Sequence, residues 1–491
     1  MPALFALVGL FLTFLILAIT ALIVRGNHNE SSNTKGLKLP PGSMGWPVIG
    51  DTIPFRKEHK CISLGDYLEG RVQKYGKIFR THLFGHPTVV STDAELNRFV
   101  FMNDEKLFEP FFPKSVADIL GEHSMLVITG DIHRSVKSLA SSFLGVPRLR
   151  NYFLKDIEQF ITEAFNTWED DVPFPIKEQT SKVTFKLIVK NILSMKPEDP
   201  RSEEMWKLFA TFMKGLVAIP IDLPITKRGK AVRARKRILA IIKEMMEERI
   251  HKKEAGTDEI GDADILGYCL ENSKQDAEQF GDLMLGILFG GHETSATAMT
   301  MSVYFLSDCP RAVEQLREEY QQIASKKKQR GEPAALTWED YRQMEFSQCV
   351  ISETLRLGNI IKTVHRRAKV DIQFKGYDIP RGWQVIPILT ASHLDSEVYE
   401  KPLIFNPWRW QEALPAGNTA RLDNYMPFGL GLRNCAGLEL AKMEMVIFLY
   451  HFVLNFDWKM LNADPPVVSS IPEFTNGLPI TVRRLSPVQA N

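Results

Sequence analysis

The chain has 491 residues, with 60 Lys plus Arg against 59 Asp plus Glu and a formal net charge of +1. With 44% hydrophobic and 24% charged residues, it has the balance of a globular protein, which excludes a disordered, collagen-like or polytopic membrane chain. The near-zero charge argues against a dedicated nucleic-acid binder, and nucleic acid is not an expected partner.

The first expected element is an anchor. Residues 2–24 carry no charged side chain and are dominated by Leu, Phe, Ile, Ala and Val. About 23 residues at ~1.5 Å each reach ~35 Å, enough to cross the hydrocarbon core of a bilayer. Positive side chains begin with Arg25, then Lys35 and Lys38, and this bias places the body on the cytosolic side. A cleaved secretory signal would instead pair a basic start with an apolar stretch of only ~7–15 residues. Next come Leu39-Pro40-Pro41-Gly42 and Trp46-Pro47-Val48-Ile49-Gly50. Proline fixes φ and cannot continue a helix, so these segments read as a stiff hinge. The expected division is a transmembrane signal anchor over 1–25, a tether and proline-rich hinge over 26–50, and a single globular domain over 51–491.

Within that domain, 77–84 and 88–90 have strand composition around a turn at Gly85-His86-Pro87. Helical periodicity then dominates, with candidates at 154–168, 203–212, 231–253, 278–309 and 311–326. Strand-like segments return at 370–380 and 384–389, and a last helix is expected at 438–454. The fold class is mainly α with a smaller β portion, with no internal repeat. An apolar stretch at 216–221, broken by Pro220, precedes a basic run at 227–237. A core segment followed by a solvated helix face fits this pattern, and so does a shallow dip into lipid headgroups.

The five cysteines, Cys61, Cys269, Cys309, Cys349 and Cys435, are odd in number and scattered, with no CxxC pair. A disulfide framework is therefore not expected, and a reducing compartment is. Cys435 stands apart. It lies in Phe428-Gly429-Leu430-Gly431-Leu432-Arg433-Asn434-Cys435-Ala436-Gly437, just before the last helix. Glycines permit backbone conformations and close approaches that a Cβ would block. A helix N-terminus favours negative charge, so a thiolate there is a strong axial ligand for haem iron. Arg433 offers a planar fork to a carboxylate. A cysteine near glycines is more often a packing residue, but the whole phrase Phe-Gly-x-Gly-x-Arg-x-Cys-x-Gly is too constrained for that.

With these residues the sequence resembles the cytochrome P450s, haem-thiolate monooxygenases, over essentially its whole length. Three further motifs keep the family's order. Glu353-Thr354-Leu355-Arg356 matches ExxR, whose acid and base share one helix face. Phe405-Asn406-Pro407-Trp408-Arg409-Trp410 matches the segment that supplies a second arginine. The resemblance implies a buried network of Glu353, Arg356 and Arg409 securing the haem-binding side, where any one pair alone would read as a surface ion pair worth under ~1 kcal/mol. Gly290-Gly291-His292-Glu293-Thr294 lies inside the long helix at 278–309. Paired glycines and a back-bonding hydroxyl allow a local opening of the helical ladder. By resemblance Thr294 is the proton-relay hydroxyl and Glu293 its acidic partner, while a kink with a solvent-facing acid is the plainer alternative. His292 is not assigned to the iron.

The resemblance further implies haem b (iron protoporphyrin IX) with Cys435 as axial ligand and Phe428 beside it. Propionate partners would be Arg433, Arg366 and the pair His133 and Lys137, which stand where the family often carries Trp-x-x-x-Arg. Lysine lacks arginine's fork, so bidentate contact is in question at 137. Electrons would come from NADPH through NADPH-cytochrome P450 reductase to act with molecular oxygen, on a single-pass protein of the endoplasmic reticulum membrane facing the cytosol. Family topology puts Phe111, Phe112, Phe209, Leu216, Leu288, Phe289, Gly290, Ile361, Thr363, Val364, Thr475 and Asn476 around the substrate. This mostly apolar set suits a large hydrophobic ligand with one or two hydroxyls.

Finer similarity, at 94–97, 105–109, 124–127, 353–359, 375–380 and 405–410, is to plant steroid hydroxylases. It is greatest to the brassinosteroid-pathway group acting on the sterol side chain at C-22, with relatives in steroidal saponin and alkaloid pathways. That implies a cholesterol- or campesterol-like substrate. His123, where tryptophan is expected, and Ile360-Ile361-Lys362 depart from the group and leave room for another or additional position such as C-16, or for another terpenoid. A haem-thiolate rearrangement enzyme would not need Glu293-Thr294, and a noncatalytic sterol-binding membrane protein would not need the relay hydroxyl.

Overall fold

The strands of the main sheet come from two parts of the chain, 78–110 and 366–387, on either side of a long, mainly helical stretch. The computed structural model describes residues 36–485 apart from 47–48, 217, 219–220, 259–263, 273–276, 414–422, 463 and 470. The expected anchor over 1–25 and most of the tether fall outside these residues. Among the described residues no helix is long and apolar enough to cross a membrane.

A five-stranded sheet is built from β1 (Ile78–Leu83), β2 (His86–Ser91), β3 (Phe108–Pro110), β4 (Arg366–Ala368) and β5 (Gln384–Pro387), in the order β1-β2-β5-β4-β3. β2 runs parallel to β5, and the remaining pairs are antiparallel. The β1–β2 turn sits one step earlier than the sequence suggests. Phe84 and Gly85 both take positive φ (54° and 82°), the geometry of a tight two-residue hairpin. His86 and Pro87 already pair with Leu83 and His82. The segment expected as strand at 370–380 is a short hairpin, Ile372–Phe374 with Tyr377–Ile379.

The helices that frame the site are α1 (Gly130–Phe143), α2 (Ile176–Leu193), α3 (Pro200–Leu216), α4 (Lys227–Glu254), α5 (Ala277–Ser307), α6 (Glu345–Gly358) and α7 (Leu438–Asn455). α5 and α7 have no consistently polar face. Met284, Leu285, Leu288, Ala296, Met299, Met301 and Val303 on α5 are buried, and so are Met443, Val446, Ile447, Leu449, Phe452 and Val453 on α7. A helix apolar all round belongs in the middle of a large core. α5 accordingly packs against α2, α4, α6 and α7. Each Leu or Phe fully removed from water there stabilises the fold by about 1.5–3 kcal/mol.

The basic run at the start of α4 is divided: Lys227, Lys230, Arg233, Lys236 and Arg237 are exposed, while two arginines are tied inward. Arg228 is buried and meets Asp222 at 2.8 Å, Arg235 pairs with the buried Asp282 of α5, and Arg237 bridges Glu204 and Glu244. Of the apolar stretch at 216–221, residues 217 and 219–220 lie outside the described residues; at its end and just beyond it, Ile221, Leu223 and Ile225 are exposed at 49%, 53% and 81%.

Candidate active site

Cys435 closes a loop in which its own N–H donates to the carbonyl of Phe428 at 2.9 Å. Gly431 (φ 67°) lies so close to the preceding sheet-side helix that a Cβ would sit 2.5 Å from the carbonyl oxygen of Phe101. Cys435 is exposed to solvent, yet protein encloses its thiol on most sides. That desolvation pushes the thiol pKa up, while the Gly437 N–H and the Lys137 ammonium favour the thiolate.

Lys137 on α1 donates to the carbonyls of Leu432 and Asn434 at 2.6 and 2.8 Å, and to the side chain of Asn434. It thus fastens α1 to the cysteine loop. Arg433 donates to the carbonyl of Ile128 at 2.5 Å and lies 3.7 Å from both Asp104 and Glu105. Its buried Nε has no hydrogen-bond partner. Arg366 is held at 2.9 Å by the buried Asp104. His133 is buried 3.2 Å from Glu105. Burial and the nearby Arg433 hold its pKa down at about 4, so it is neutral at physiological pH. The four cations or potential cations named from the sequence therefore converge on one acidic pair, Asp104 and Glu105, and on the cysteine loop.

Glu353, Arg356 and Arg409 come together as expected, with exposures of 0%, 0% and 3%. Arg356 grips Glu353 in a fork, at 2.9 and 2.7 Å, and its third nitrogen donates to the carbonyls of His393 and Pro402, both at 2.7 Å. Arg409 Nε reaches the same carboxylate at 3.1 Å, with Asn406 N–H and Trp410 Nε1 each at 3.0 Å. Tyr399 lies under both guanidinium groups. Trp410 and Tyr399 were not foreseen. A tryptophan beside the predicted buried arginine, Arg409, was the available signal for the first.

On α5, the Thr294 hydroxyl donates to the carbonyl of Gly290 at 2.6 Å, the back-bond the sequence suggests. The expected opening of the ladder is absent, since α-helical backbone continues through 277–307. The two glycines do other work. A Cβ on Gly290 would meet nothing within 4 Å, so an open groove runs past it, while one on Gly291 would sit 2.6 Å from Ile188 of α2. Gly290 is exposed and Thr294 partly exposed on an otherwise buried helix. Glu293 turns toward α2 and forms an ion pair with Lys177 at 2.7 Å. His292 is boxed by Phe185, Trp206 and Phe209 and hydrogen-bonded to Thr184.

One further group escaped the sequence reading. Glu444 on α7 is buried, and its polar neighbour is the Ser295 hydroxyl of α5. Burial drives its pKa up to about 8, partly offset by the Ser295 hydroxyl next to Thr294. A lone acid in the apolar run of α7 was the signal. This contact also ties the helix that follows Cys435 to the helix that carries Thr294.

Of the expected pocket residues, Phe111, Phe112, Leu216, Phe289, Ile361, Thr363 and Val364 are partly exposed, and Gly290, Thr475 and Asn476 are exposed. Phe209 and Leu288 are not on a wall. Both are 1% exposed within the main core, and the Phe209 ring packs on Phe185, Phe212 and His292.

Residues 40–480 match the family described as cytochrome P450. The chain belongs to the cytochrome P450 family. It is 63% identical over 477 residues to a cholesterol 16,22-dihydroxylase of Paris polyphylla, covering 97% of this chain and 98% of that one. A steroid (22S)-hydroxylase of Oryza sativa subsp. japonica is 43% identical over 97% of this chain and 96% of its own. A cholesterol 22-hydroxylase of Paris polyphylla is 44% identical over 97% and 99%. Among solved structures, retinoic acid bound cyanobacterial CYP120A1 superposes with a TM-score of 0.80 at 27% identity, over 92% of this chain and all of that one. This P450 is thus a monooxygenase that uses a haem-iron cofactor, dioxygen and a redox partner.

The residues present fit a haem. An ionisable thiol stands at a helix N-terminus, an unsatisfied buried Arg433 Nε and the Arg366 guanidinium lie on the same side, and α5 leaves a groove open at Gly290. Cys435 would hold the iron, and Arg433, Arg366, His133 and Lys137 surround the acidic edge.

Proposed function

We propose that this P450 hydroxylates the side chain of a sterol at C-22, with cholesterol or campesterol as substrate. The observation that carries this reading is its kinship, over nearly the whole of both chains, with an enzyme named for oxidising cholesterol at C-16 and C-22. The same kinship favours a second reading in which an additional oxygen enters at C-16. The partly exposed apolar groups Phe111, Phe112, Phe289, Ile361 and Val364 supply a surface suited to a rigid hydrocarbon, and Thr363, Thr475 and Asn476 supply polar contacts for its hydroxyl.

When bound, haem b supplies the activation of dioxygen and insertion of one of its atoms into a C–H bond. The chain's own contribution is threefold. Cys435 ligates the iron as a thiolate, favoured by the Gly437 N–H and Lys137. Arg433, Arg366, His133 and Lys137 position the propionates. Thr294 and Glu293 hold and pass protons in the α5 groove. NADPH-cytochrome P450 reductase is the electron donor, on the cytosolic side of the endoplasmic reticulum membrane, to which residues 1–25 anchor the chain. The product serves brassinosteroid or steroidal saponin and alkaloid biosynthesis.

The test is incubation of microsomes holding this protein and a reductase with cholesterol and with campesterol, locating new oxygens by mass spectrometry and NMR. A 22-hydroxysterol is expected, with a 16,22-diol if the second reading holds. Turnover requires NADPH and is lost in Cys435→Ser. Absence of any sterol product would overturn the substrate assignment and leave the monooxygenase intact.

A further inference from the structure

Lys177, in the first turn of α2, is not placed like a surface lysine. Its side chain is 15% exposed, its Nζ lies 2.7 Å from Glu293, and Ser181 Oγ accepts from it at 3.3 Å. Burial pulls its pKa down and Glu293 pushes it back up. A lysine stem usually snorkels its charge into water. Here the charge turns inward, toward the acid of the relay.

The backbone that carries Lys177 is pinned. Ile176 N–H donates to the carbonyl of Leu478 at 3.1 Å, and Phe174 and Pro175 pair with Ile480 and Pro479. The loop joined to it holds Asn476, Gly477 and Leu478 at positive φ (59°, 69° and 55°). A Cβ on Gly477 would lie 3.0 Å from Pro175 and 3.8 Å from Lys177. On the far side, His292 Nε2 stands 3.9 Å from Glu293. Burial holds its pKa at about 3, so it brings no charge at physiological pH. Glu473 is the remaining charged group felt by Lys177.

We propose that Lys177 is a positioning residue for the reaction: its ammonium selects one rotamer of Glu293 and holds that carboxylate at the edge of the α5 groove from which protons reach Thr294. An unrestrained glutamate on a partly exposed helix face samples several rotamers. An ion pair anchored through a buried, backbone-pinned lysine leaves one. Lys177 acts only through Glu293, and the inference rests on the relay reading above.

The test compares variants in reductase-supplemented microsomes turning over the sterol that the parent converts. Product per NADPH, hydrogen peroxide released, KM and the solvent isotope effect on kcat are measured. Lys177→Met is expected to lower product per NADPH roughly three- to tenfold, a fraction of what a full acid–base group supplies. Peroxide rises in proportion, the solvent isotope effect increases, and KM and the reduced carbonyl spectrum stay unchanged. Lys177→Arg restores most of the coupling. Lys177→Met combined with Glu293→Gln is no worse than Glu293→Gln alone. Parental coupling in Lys177→Met, or additive losses in the double variant, overturns the proposal while the relay stands. If Glu293→Gln and Thr294→Ala both couple like the parent, the relay reading fails and this inference falls with it. Should Lys177→Met lose the carbonyl spectrum, Lys177→Gln replaces it with the same outcomes.

Discussion

Glu353 and Glu293 are both acids on long helices, and the protein treats them in opposite ways. Glu353 is wholly buried and receives five N–H donors, from Arg356 twice, Arg409, Asn406 and Trp410. Glu293 keeps 25% of its side chain exposed and leans on Lys177 across a helix boundary. A charge surrounded by donors from four residues is fixed in place. A charge with solvent access stays in contact with water. The first arrangement locks α6 to the segment around Arg409, and the second leaves a carboxylate partly open to solvent on α5.

The comparison breaks most visibly at Arg356. Arg356→Ala removes two of the five donors to a buried carboxylate and the donor shared by two carbonyls, and is expected to cost about 3–5 kcal/mol. Urea melts and haem retention should both collapse, whereas Arg409→Ala, which leaves most of the donors to Glu353 in place, costs less. Near-parental melting of Arg356→Ala would mean that the network is not structural. At the other acid the effect should be on chemistry alone. Thr294→Ala lowers product per NADPH by roughly tenfold and raises peroxide, with the melting midpoint unchanged. Parental coupling would remove the hydroxyl from the relay.

Glu444 gives the sharpest sign. Its folded pKa of about 8 stands above the ordinary 4.5, so the folded state binds the extra proton. That stability is fully present below the unfolded value and is lost as pH rises through about 8. The parent should therefore weaken relative to Glu444→Gln between these limits, read from paired melts across pH. A constant difference would mean that Glu444 is ionised in the fold.

The legible parts of the sequence were those in which chemistry is local. Cys435 and its glycines lie within ten residues, and Glu353 and Arg356 lie one helical turn apart. The long helices were legible too, because a period of 3.6 persists over many turns, with ends mostly within a few residues. Lys177, Asp104 and Tyr399 were not visible, since each gains its meaning from a partner brought close only by packing. The β1–β2 turn slipped because Phe84, not a usual turn former, takes a positive φ that proline at 87 cannot share. Phe209 misled because an aromatic facing the helix above the haem looks the same in sequence whether it lines a cavity or fills one.

Gly291 carries one more consequence. A Cβ there would sit 2.6 Å from the tip of the Ile188 side chain, so the absence of a side chain on α5 is what seats Ile188 of α2 against it. Glu293 stands two residues from Gly291 on α5. A side chain added at 291 therefore has to push Ile188 aside, and a strain on the α5–α2 contact there is felt next to the Glu293–Lys177 pair.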